Sequence, residues 1–359
     1  MTPHINASIE SEQPCATERK RSPALNTLGP KAQLSEFLYR AKIFEYLHLG
    51  ASECLIVFNY HRIRSDESSS TAFHDEVYGP TLAEFAEQIA WLNGHTRIIS
   101  EADLLLALDS GRPLPDRCSM ITFDDGYRDN FTLAVPVLER CRVPATFLIP
   151  SEIISSRRLG WWDMISYFVK ATGKHTIEVD GISYSLAGSR QAVMNAIIQR
   201  ITQGLCLDTD GLLRCLSTAC EVDFPSTETQ SAELMTWDEI RQVSRGGVTI
   251  GSQTHTHPVL ATIDREDQVY ELTTSKAVLE REIGKPVCSI AYPVGGYSHF
   301  TEETKELARL CGYSIGYSFA TGVNSTLNLD RFDVKRVSSP ITAGFLAAKA
   351  SCPNVFARS

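Results

Sequence analysis

The chain has 359 residues, of which 43% are hydrophobic and 21% are charged, and its net charge is −9 at pH 7. This composition is typical of a globular protein with room for one large α/β domain or for two domains. The negative charge argues against a general nucleic-acid-binding protein, because no basic field would gather phosphates. The ten cysteines form no C-x-x-C pair, which argues against a zinc–thiolate site and suits a reducing compartment.

The two ends of the chain differ from its centre. Residues 1–30 are rich in Ser, Thr, Pro and charge, which predicts a disordered tail without the apolar core of a secretory signal. Residues 31–50 predict a helix whose apolar side chains, among them Leu34 and Phe37, pack on the main domain. Residues 346–359 are expected to be a second tail. Because no apolar run approaches the roughly 20 residues that cross a bilayer, we expect a cytoplasmic protein without a transmembrane segment.

Between residues 51 and 345, strand-like apolar runs alternate with amphipathic helical patterns. The predicted strands are Cys54–His61, Met120–Phe123, Ala145–Ile149, Val248–Gly251, Val287–Tyr292 and Tyr313–Phe319. The predicted helices span about 81–94, 100–108, 131–141, 236–246, 264–283 and 301–311. This alternation predicts an α/β fold with a parallel sheet or barrel.

The alternation is interrupted between about residues 155 and 232. There, Thr176–Leu186 alternates apolar and polar residues around Asp180-Gly181, the pattern of a β-hairpin. Helical patterns follow at 190–204 and 210–219. We therefore expect a small inserted subdomain near the rim of the sheet.

Polar residues with catalytic chemistry follow three of the predicted strands. Asp124 and Asp125 end one strand, His61 ends the first, and His255 and His257 follow a later one. The carboxyl ends of parallel strands meet on one face, where a carboxylate and imidazoles suit Zn²⁺ or a similar ion. Such an ion polarises a carbonyl and activates water, while a carboxylate held off the metal takes the proton. The pattern predicts hydrolysis of an amide or an ester.

Structural explanations stay open for these residues. An isolated Asp-Asp-Gly sequence is more often a solvated turn, and a lone histidine at a strand end is more often a structural residue. Trp161 and Trp162, with the aromatic residues of Tyr292–Tyr297, could form a wall for a sugar ring. Core packing explains the two tryptophans equally well.

Taken together, three segments resemble the signatures of the polysaccharide deacetylases, carbohydrate esterase family 4, also called the NodB homology domain. They are Thr122–Gly126, Gly251–Pro258 and Ser289–Gly295. In addition, Asn59–Arg62 is similar to a branch of the family with a Tyr-His segment near the N-terminus. The resemblance covers about residues 54–340, and the combined order is far more specific than any one segment.

The resemblance implies a distorted (β/α) barrel that removes acetyl groups from N-acetylated sugar units of a poly- or oligosaccharide. It implies that Asp124 is the general base and that Asp125 and His257 are ligands of a divalent metal. We expect this metal to be zinc, with cobalt or nickel as alternatives. The substrate-binding residues that we expect around the acetyl pocket are Tyr292, Pro293, Gly295 and Trp162.

The sequence departs from the family pattern at three points. Gln253 stands where the first ligand histidine is usual, which leaves three alternatives: His255 replaces it, the Gln253 carbonyl oxygen binds the metal, or the metal affinity is low. Ala291 stands near the position of a usual arginine. No late Leu-x-His segment supplies the general acid, and we predict that His61 takes this role.

Two other functions stay open. One is hydrolysis of a C–N bond in a small amide that is not a sugar, on the same scaffold. The other is a metal-free saccharide-binding protein, which Gln253 and Ala291 favour. The Asp124–Asp125 pair and His257 argue against it, because a site that had lost its chemistry would not need all three.

Overall fold

The computed structural model describes residues 29–47, 54–65 and 72–357. Its helices are α1 (Pro30–Arg40), α2 (Leu82–His95), α3 (Glu101–Ser110), α4 (Val135–Cys141), α5 (Ser151–Ser156), α6 (Trp161–Ala171), α7 (Arg190–Thr202), α8 (Thr209–Cys220), α9 (Thr227–Glu233), α10 (Trp237–Arg245), α11 (Arg265–Ile283), α12 (Glu302–Leu310), α13 (Ala343–Ser351) and α14 (Pro353–Phe356). Its strands are β1 (Cys54–Tyr60), β2 (Arg62–Arg64), β3 (Tyr78–Thr81), β4 (Arg97–Ile98), β5 (Cys118–Asp124), β6 (Thr146–Ile149), β7 (Thr176–Val179), β8 (Ile182–Ser185), β9 (Thr249–Ser252), β10 (Ser289–Ala291), β11 (Ile315–Tyr317), β12 (Asn324–Ser325) and β13 (Arg336–Ser338). In the described part of the chain, none of the helices combines the length and apolar character that crossing a membrane requires.

Nine of these strands form one mostly parallel sheet, which curls strongly into a half-barrel. Along its main path the order is β11-β10-β9-β6-β5-β1-β12, with β13 beside β1 and β4 beside β5. The short strand β12 runs antiparallel to β1. The predicted α/β class, with its distorted barrel, is thus confirmed.

Strand β5 occupies the middle of this sheet. It pairs in parallel with β1 on one side and with β6 on the other, and all seven of its residues are buried. Burial on both faces explains its continuous apolar sequence. The strand therefore delivers Asp124 to the rim where the carboxyl ends of its neighbours also lie.

The predicted insertion lies between two strands that are direct neighbours in the sheet. Strands β6 and β9 pair in parallel, yet α5 to α10 and the β7–β8 hairpin separate them in the chain. The hairpin pairs Val179 with Ile182, and Asp180 and Gly181 both have positive φ, 50° and 74°, as a two-residue type I′ turn requires. The boundaries of the insert and of the main domain stay predictions.

The apolar face predicted for the N-terminal helix is confirmed only in part: Phe44 is buried and Leu38 and Leu47 pack against the core, but other members of the face are exposed. The helix forms as α1, but Leu34 and Phe37 are 52% and 69% exposed, whereas Ser35 and Glu36 are buried. The Glu36 carboxylate accepts a hydrogen bond from the Gly344 N–H (2.9 Å). Helix α1 is thus oriented by a buried polar contact with the start of α13, a constraint that apolar periodicity does not report. Residues 1–28 and 48–50, which belong to the predicted tail and to the end of this helix, lie outside the described residues.

The tail predicted for 346–359 is also wrong over its described part. Helix α13 lies against α1 and α2, and its residues Leu346 and Ala347 are fully buried. Small side chains allow this close approach between helices, and they give no strong apolar period in the sequence. Residues 358–359 lie outside the described range.

Glu101, at the start of α3, allows a prediction about stability. Its buried carboxylate accepts a hydrogen bond from the Tyr317 hydroxyl (3.1 Å), and burial raises the pKa of Glu101 from 4.5 to about 7. The folded protein therefore holds this proton more tightly than the unfolded chain. The resulting stabilisation is complete below the unfolded pKa and is lost as the pH rises through the folded one.

We expect Glu101→Gln, which cannot ionise, to gain thermal stability relative to the wild type as the pH rises from about 5 to about 8. Thermal unfolding of both proteins across this range measures the difference in Tm. The exposed Glu228→Gln serves as the matched control and should show no such trend. A difference in Tm that is the same at every pH would contradict the assignment.

Candidate active site

A cavity of about 250 Å³ opens at the carboxyl ends of the central strands. Asp124 and Asp125 reach it from β5, His61 from the end of β1, and Gln253 and His257 from the loop after β9. The structure therefore brings together in one cavity five of the residues that the sequence singled out, from three separate strands.

Asp124 lies in a buried network of polar groups. Arg336 Nη1 donates to Asp124 Oδ1 (2.6 Å) and also to Asn59 Oδ1 (2.8 Å). Asn59 Nδ2 donates to the other Asp124 oxygen, Oδ2 (3.1 Å). Since the Arg336 side chain is 1% exposed, its positive charge is compensated inside the protein by the carboxylate. The network holds both oxygens of Asp124 in place.

Arg336 is the important residue that sequence patterns missed. It lies 212 positions from Asp124, on a strand of three residues that carries no motif. The family pattern has an arginine near the position of Ala291, which is buried here. In this chain a guanidinium is provided by Arg336 on β13 instead. Val334 and Val337 lie on either side of Lys335-Arg336 without a strand-like alternation, and nothing in the sequence indicates the partner of Arg336.

His61 lies beside the same carboxylate, with its Nε2 3.8 Å from Asp124 Oδ2. Burial lowers the pKa of His61, and the charge of Asp124 acts in the opposite direction. The next residue, Arg62, is buried between the rings of Tyr78 and Tyr127, each 4.5 Å from its guanidinium carbon. This contact fixes the backbone that presents His61.

Asp125 and His257 face each other in the other half of the cavity. His257 Nε2 lies 3.7 Å from Asp125 Oδ1, close to the separation of about 3.4 Å that two ligands of one tetrahedral zinc ion would have. Burial lowers the pKa of His257 to about 4, so its imidazole is neutral, as metal ligation requires. Burial raises the pKa of Asp125, and the adjacent Asp124 carboxylate raises it further. The pair fits a divalent ion.

Neither of the two candidates for a further metal ligand joins this pair. Gln253 Oε1 accepts a hydrogen bond from the main-chain N–H of Asp125 (2.9 Å). His255 is turned away from the cavity, with its Nδ1 2.8 Å from Ser151 Oγ and its Nε2 3.7 Å from Glu152. The predicted replacement by His255 is therefore wrong in this structure. Among the described residues, no group of three or more His, Cys, Asp or Glu side chains is placed to hold a metal.

Three residues that line the cavity have left-handed backbone conformations. Asp125, His257 and Val294 have φ values of 73°, 63° and 61°. For residues other than glycine, such conformations cost about 1–3 kcal/mol each and persist only where the surroundings enforce them. At this cavity the surrounding loops therefore hold the three side chains in place despite that cost.

Trp162 both lines the cavity and supports His257. The two rings lie 4.4 Å apart, and Trp162 Nε1 donates to the Tyr127 hydroxyl (2.7 Å). That hydroxyl in turn donates to the buried Asp163 carboxylate (2.7 Å). This chain of contacts restrains the plane of the His257 imidazole. Trp162 is therefore both a packed core residue and a part of the cavity wall.

The predicted acetyl-pocket residues are only partly placed at the cavity. Tyr292 lines the cavity, but its hydroxyl donates a hydrogen bond to the Phe332 carbonyl (3.0 Å). Its ring is therefore the part of the side chain that is available for contacts in the cavity. Pro293 and Gly295 are not among the lining residues. Gly295 instead accepts a hydrogen bond from the Phe319 N–H (2.7 Å), and a Cβ on Gly295 would lie 2.6 Å from that nitrogen. Its role is to seat Phe319, an unpredicted residue of the cavity wall.

The model of the family described as "Polysaccharide deacetylase" matches residues 111–205 and 221–316, just over half of the chain. The chain belongs to the polysaccharide deacetylase family. Its matched ranges include β5 with both aspartates, and the loop with Gln253 and His257.

Several bacterial proteins are similar to parts of this chain. YxkH of Bacillus subtilis (strain 168) is 23% identical over 245 residues, 67% of this chain and 59% of that protein. The poly-beta-1,6-N-acetyl-D-glucosamine N-deacetylase of Escherichia coli (strain K12) is 31% identical over 94 residues, 26% of this chain and 13% of that enzyme. The enzyme of the same name from Staphylococcus epidermidis is 33% identical over 110 residues, 28% of this chain and 38% of that enzyme. The chain thus spans less than two thirds of the length of each of these relatives.

Solved structures share the fold of this chain. Streptococcus pyogenes deacetylase PplD, in complex with acetate, superposes with a TM-score of 0.54 at 16% identity, over 81% of this chain and 96% of that one. IcaB from Ammonifex degensii superposes with a TM-score of 0.52 at 18% identity, over 86% of this chain and 98% of that one. At these identities the likeness establishes the fold.

Replacing Arg336 should expose how strongly the buried pair stabilises the protein. Arg336→Met would leave Asp124 buried without its charged partner, which costs about 3–5 kcal/mol. We expect a corresponding loss in the free energy of unfolding, measured with a chemical denaturant. Adding Asp124→Asn to this variant should recover part of that loss, because the uncompensated charge is removed. Strictly additive losses would contradict a direct coupling of the two residues.

Replacing Gln253 should test the incomplete ligand set. Gln253→His would offer an imidazole beside Asp125 and His257, and we expect zinc affinity to rise by more than about tenfold. Zinc titration calorimetry measures it directly. The matched control His255→Ala should leave the affinity unchanged, because that ring is turned away from the cavity. Tighter zinc binding by the wild type than by Gln253→His would mean that the Gln253 amide itself is a ligand.

Proposed function

We propose that this member of the polysaccharide deacetylase family removes acetyl groups from N-acetylated sugar units of a poly- or oligosaccharide, by metal-dependent hydrolysis of the C–N bond. The observation that carries the proposal is one cavity with two adjacent carboxylates in different surroundings. Asp124 is paired with Arg336, whereas Asp125 faces a neutral histidine. The names of the relatives that act on poly-beta-1,6-N-acetyl-D-glucosamine support an N-acetylated sugar as substrate.

In this proposal Asp124 is the general base. Arg336 and Asn59 each donate a hydrogen bond to one of its oxygens. The carboxylate is therefore held in one orientation, and its remaining lone pairs have fixed directions. A base that is held in this way takes the proton of a water molecule as that water attacks the acetyl carbon. The new C–O bond forms on the acetyl group, and acetate leaves when the C–N bond breaks.

His61 returns the proton to the leaving nitrogen. Because burial lowers its pKa, the imidazole is neutral before the reaction and can receive a proton. Asp124 lies 3.8 Å away, so the proton taken from water can pass from Asp124 to His61 and then to the amine. An acid at the end of β1 also fits the Tyr-His branch of the family, to which we assign the chain.

Asp125 and His257 would hold the divalent ion, with zinc proposed first and cobalt or nickel as alternatives. When bound, such an ion polarises the acetyl carbonyl and lowers the pKa of water to about 7. Burial keeps His257 neutral and Trp162 restrains its ring, so this ligand is already oriented. Gln253 could contribute its oxygen only after turning away from the Asp125 N–H.

A second candidate is a saccharide-binding protein that works without a metal. The orientation of Gln253 toward the main chain favours it, since only two strong ligands then remain. A further alternative is hydrolysis of a small amide that is not a sugar. It differs from the deacetylase and from the binding protein in the substrate that reacts. The cytoplasmic location stays a prediction.

Two substitutions at adjacent positions should separate the roles of the aspartates. Asp124→Asn should keep the bound metal but release almost no acetate, whereas Asp125→Ala should lose both. Metal content is measured by mass spectrometry, and acetate release is measured with N-acetylated oligosaccharides and with small cyclic amides. Full activity in Asp124→Asn would exclude it as the base. Saccharide binding by the metal-supplemented wild type without hydrolysis of either substrate class would favour the binding protein.

His61→Ala should reduce kcat by about 10²-fold or more, the usual loss when a general acid is removed. Metal content should not change, because His61 lies on the Asp124 side of the cavity. His255→Ala, which alters a histidine outside the cavity, is the control and should retain wild-type kcat. Unchanged turnover in His61→Ala would remove it from the mechanism.

A further inference from the structure

The loop that carries His257 is held by a buried carboxylate of α11. Glu271, which is 5% exposed, accepts hydrogen bonds at Oε2 from the main-chain N–H groups of His255 (2.7 Å) and Thr256 (2.8 Å). Its other oxygen, Oε1, accepts a hydrogen bond from the Thr256 hydroxyl (2.6 Å). One side chain therefore fixes the two residues that precede His257.

The carbonyl groups of the same loop are held from the other side by α5. The carbonyl oxygens of Thr254 and His255 accept hydrogen bonds from the N–H groups of Ser151 (3.3 Å) and Glu152 (2.8 Å), at the start of that helix. Main-chain polar groups without a partner are unfavourable inside a protein. The path of the loop is thus determined by α5 on one side and by the Glu271 carboxylate on the other.

The direction of the His257 ring depends on this path. Thr254 and His257 have left-handed backbone conformations, with φ values of 65° and 63°, which persist only where the surroundings enforce them. Among the described residues, no hydrogen-bonding group contacts His257 Nδ1, and the ring packs on Trp162 at 4.4 Å. The backbone and this packing contact therefore orient the imidazole.

We propose that Glu271 is a positioning residue that holds His257 in the orientation in which it binds the divalent ion. Without this carboxylate, the N–H groups of His255 and Thr256 would lose their acceptor, and the loop could leave its left-handed conformations. The imidazole would then no longer face Asp125 at a fixed distance. This inference rests on the proposed function, because it concerns a ligand of the metal that the proposed hydrolysis requires.

Zinc titration calorimetry, below the unfolding temperature of each variant, tests this role. We expect Glu271→Ala to bind Zn²⁺ about tenfold or more weakly than the wild type, as is usual when a group that orients a metal ligand is removed. Glu271→Gln should recover most of the affinity. Its amide oxygen can accept from both N–H groups, and its NH₂ group can donate to the Thr256 hydroxyl.

A milder substitution tests the same contact if Glu271→Ala does not fold. Thr256 is exposed, so Thr256→Val removes one of the three hydrogen bonds to Glu271 at little risk to the core. We expect it to weaken zinc binding by about threefold. An unchanged affinity in Thr256→Val would then count against the role of Glu271.

Glu280→Ala is the matched control on the same helix. The Glu280 carboxylate accepts a hydrogen bond from the Val287 N–H (3.0 Å) and pairs with Lys276 (3.1 Å), and it does not line the cavity. This variant should lower Tm without changing zinc affinity. If Glu271 only stabilised the fold, its removal would have the same result.

A second measurement needs neither metal nor turnover. In the metal-free protein, nuclear magnetic resonance detects the through-space contact between the ring protons of His257 and Trp162. We expect this contact to weaken in Glu271→Ala and to persist in Glu271→Gln and in Glu280→Ala.

The outcomes separate this inference from the proposed function. Wild-type zinc affinity and an intact ring contact in Glu271→Ala would overturn the positioning role even if the wild type releases acetate. Loss of both in Glu271→Ala, with recovery in Glu271→Gln, supports the role. If the wild type then released no acetate from N-acetylated oligosaccharides, the deacetylase assignment would fail while the positioning of His257 would stand.

Discussion

The buried ion pair between Arg336 and Asp124 is the interaction on which the active-site half of the fold depends. Removing two charges from water is unfavourable unless each is paired and its remaining hydrogen-bonding groups are satisfied. Here Arg336 also donates to the Ser318 carbonyl (3.0 Å) and to Asn59. The guanidinium thereby connects β1, β5, β13 and the segment after β11. Because β13 pairs with β1, the charge of Asp124 is compensated only when the half-barrel is complete at this edge.

Two adjacent carboxylates obtain different properties from these surroundings. Asp124 faces a guanidinium and an amide, while Asp125 occupies a strained left-handed position opposite a neutral imidazole. The carboxylates cannot both be charged without cost in so small a volume, and burial raises the pKa of Asp125. A positively charged ion beside Asp125 would relieve this repulsion. The proposed division into a base and a metal ligand would thus follow from environment and not from residue type.

The insert contributes more than a cover for the sheet. It supplies Trp161 and Trp162, which both line the candidate active-site cavity, and Trp162 also supports His257. Because the chain enters and leaves the insert at neighbouring strands, β6 and β9, its helices can vary without disturbing the sheet. The insert consequently shapes one wall of the candidate active site.

Local sequence by itself determined the alternation of strands and helices, the hairpin turn at Asp180-Gly181 and the mounting of both aspartates at a strand end. The physical determinants of these features lie within a few residues of one another. Only the tertiary structure decided which partners meet, including the pairing of Arg336 with a carboxylate 212 positions away. It also decided that His255 turns outward while His257 turns inward, and that a helix of small residues at the C-terminal end is buried. These outcomes depend on packing between distant segments, and a local pattern carries no information about the segment that will lie opposite.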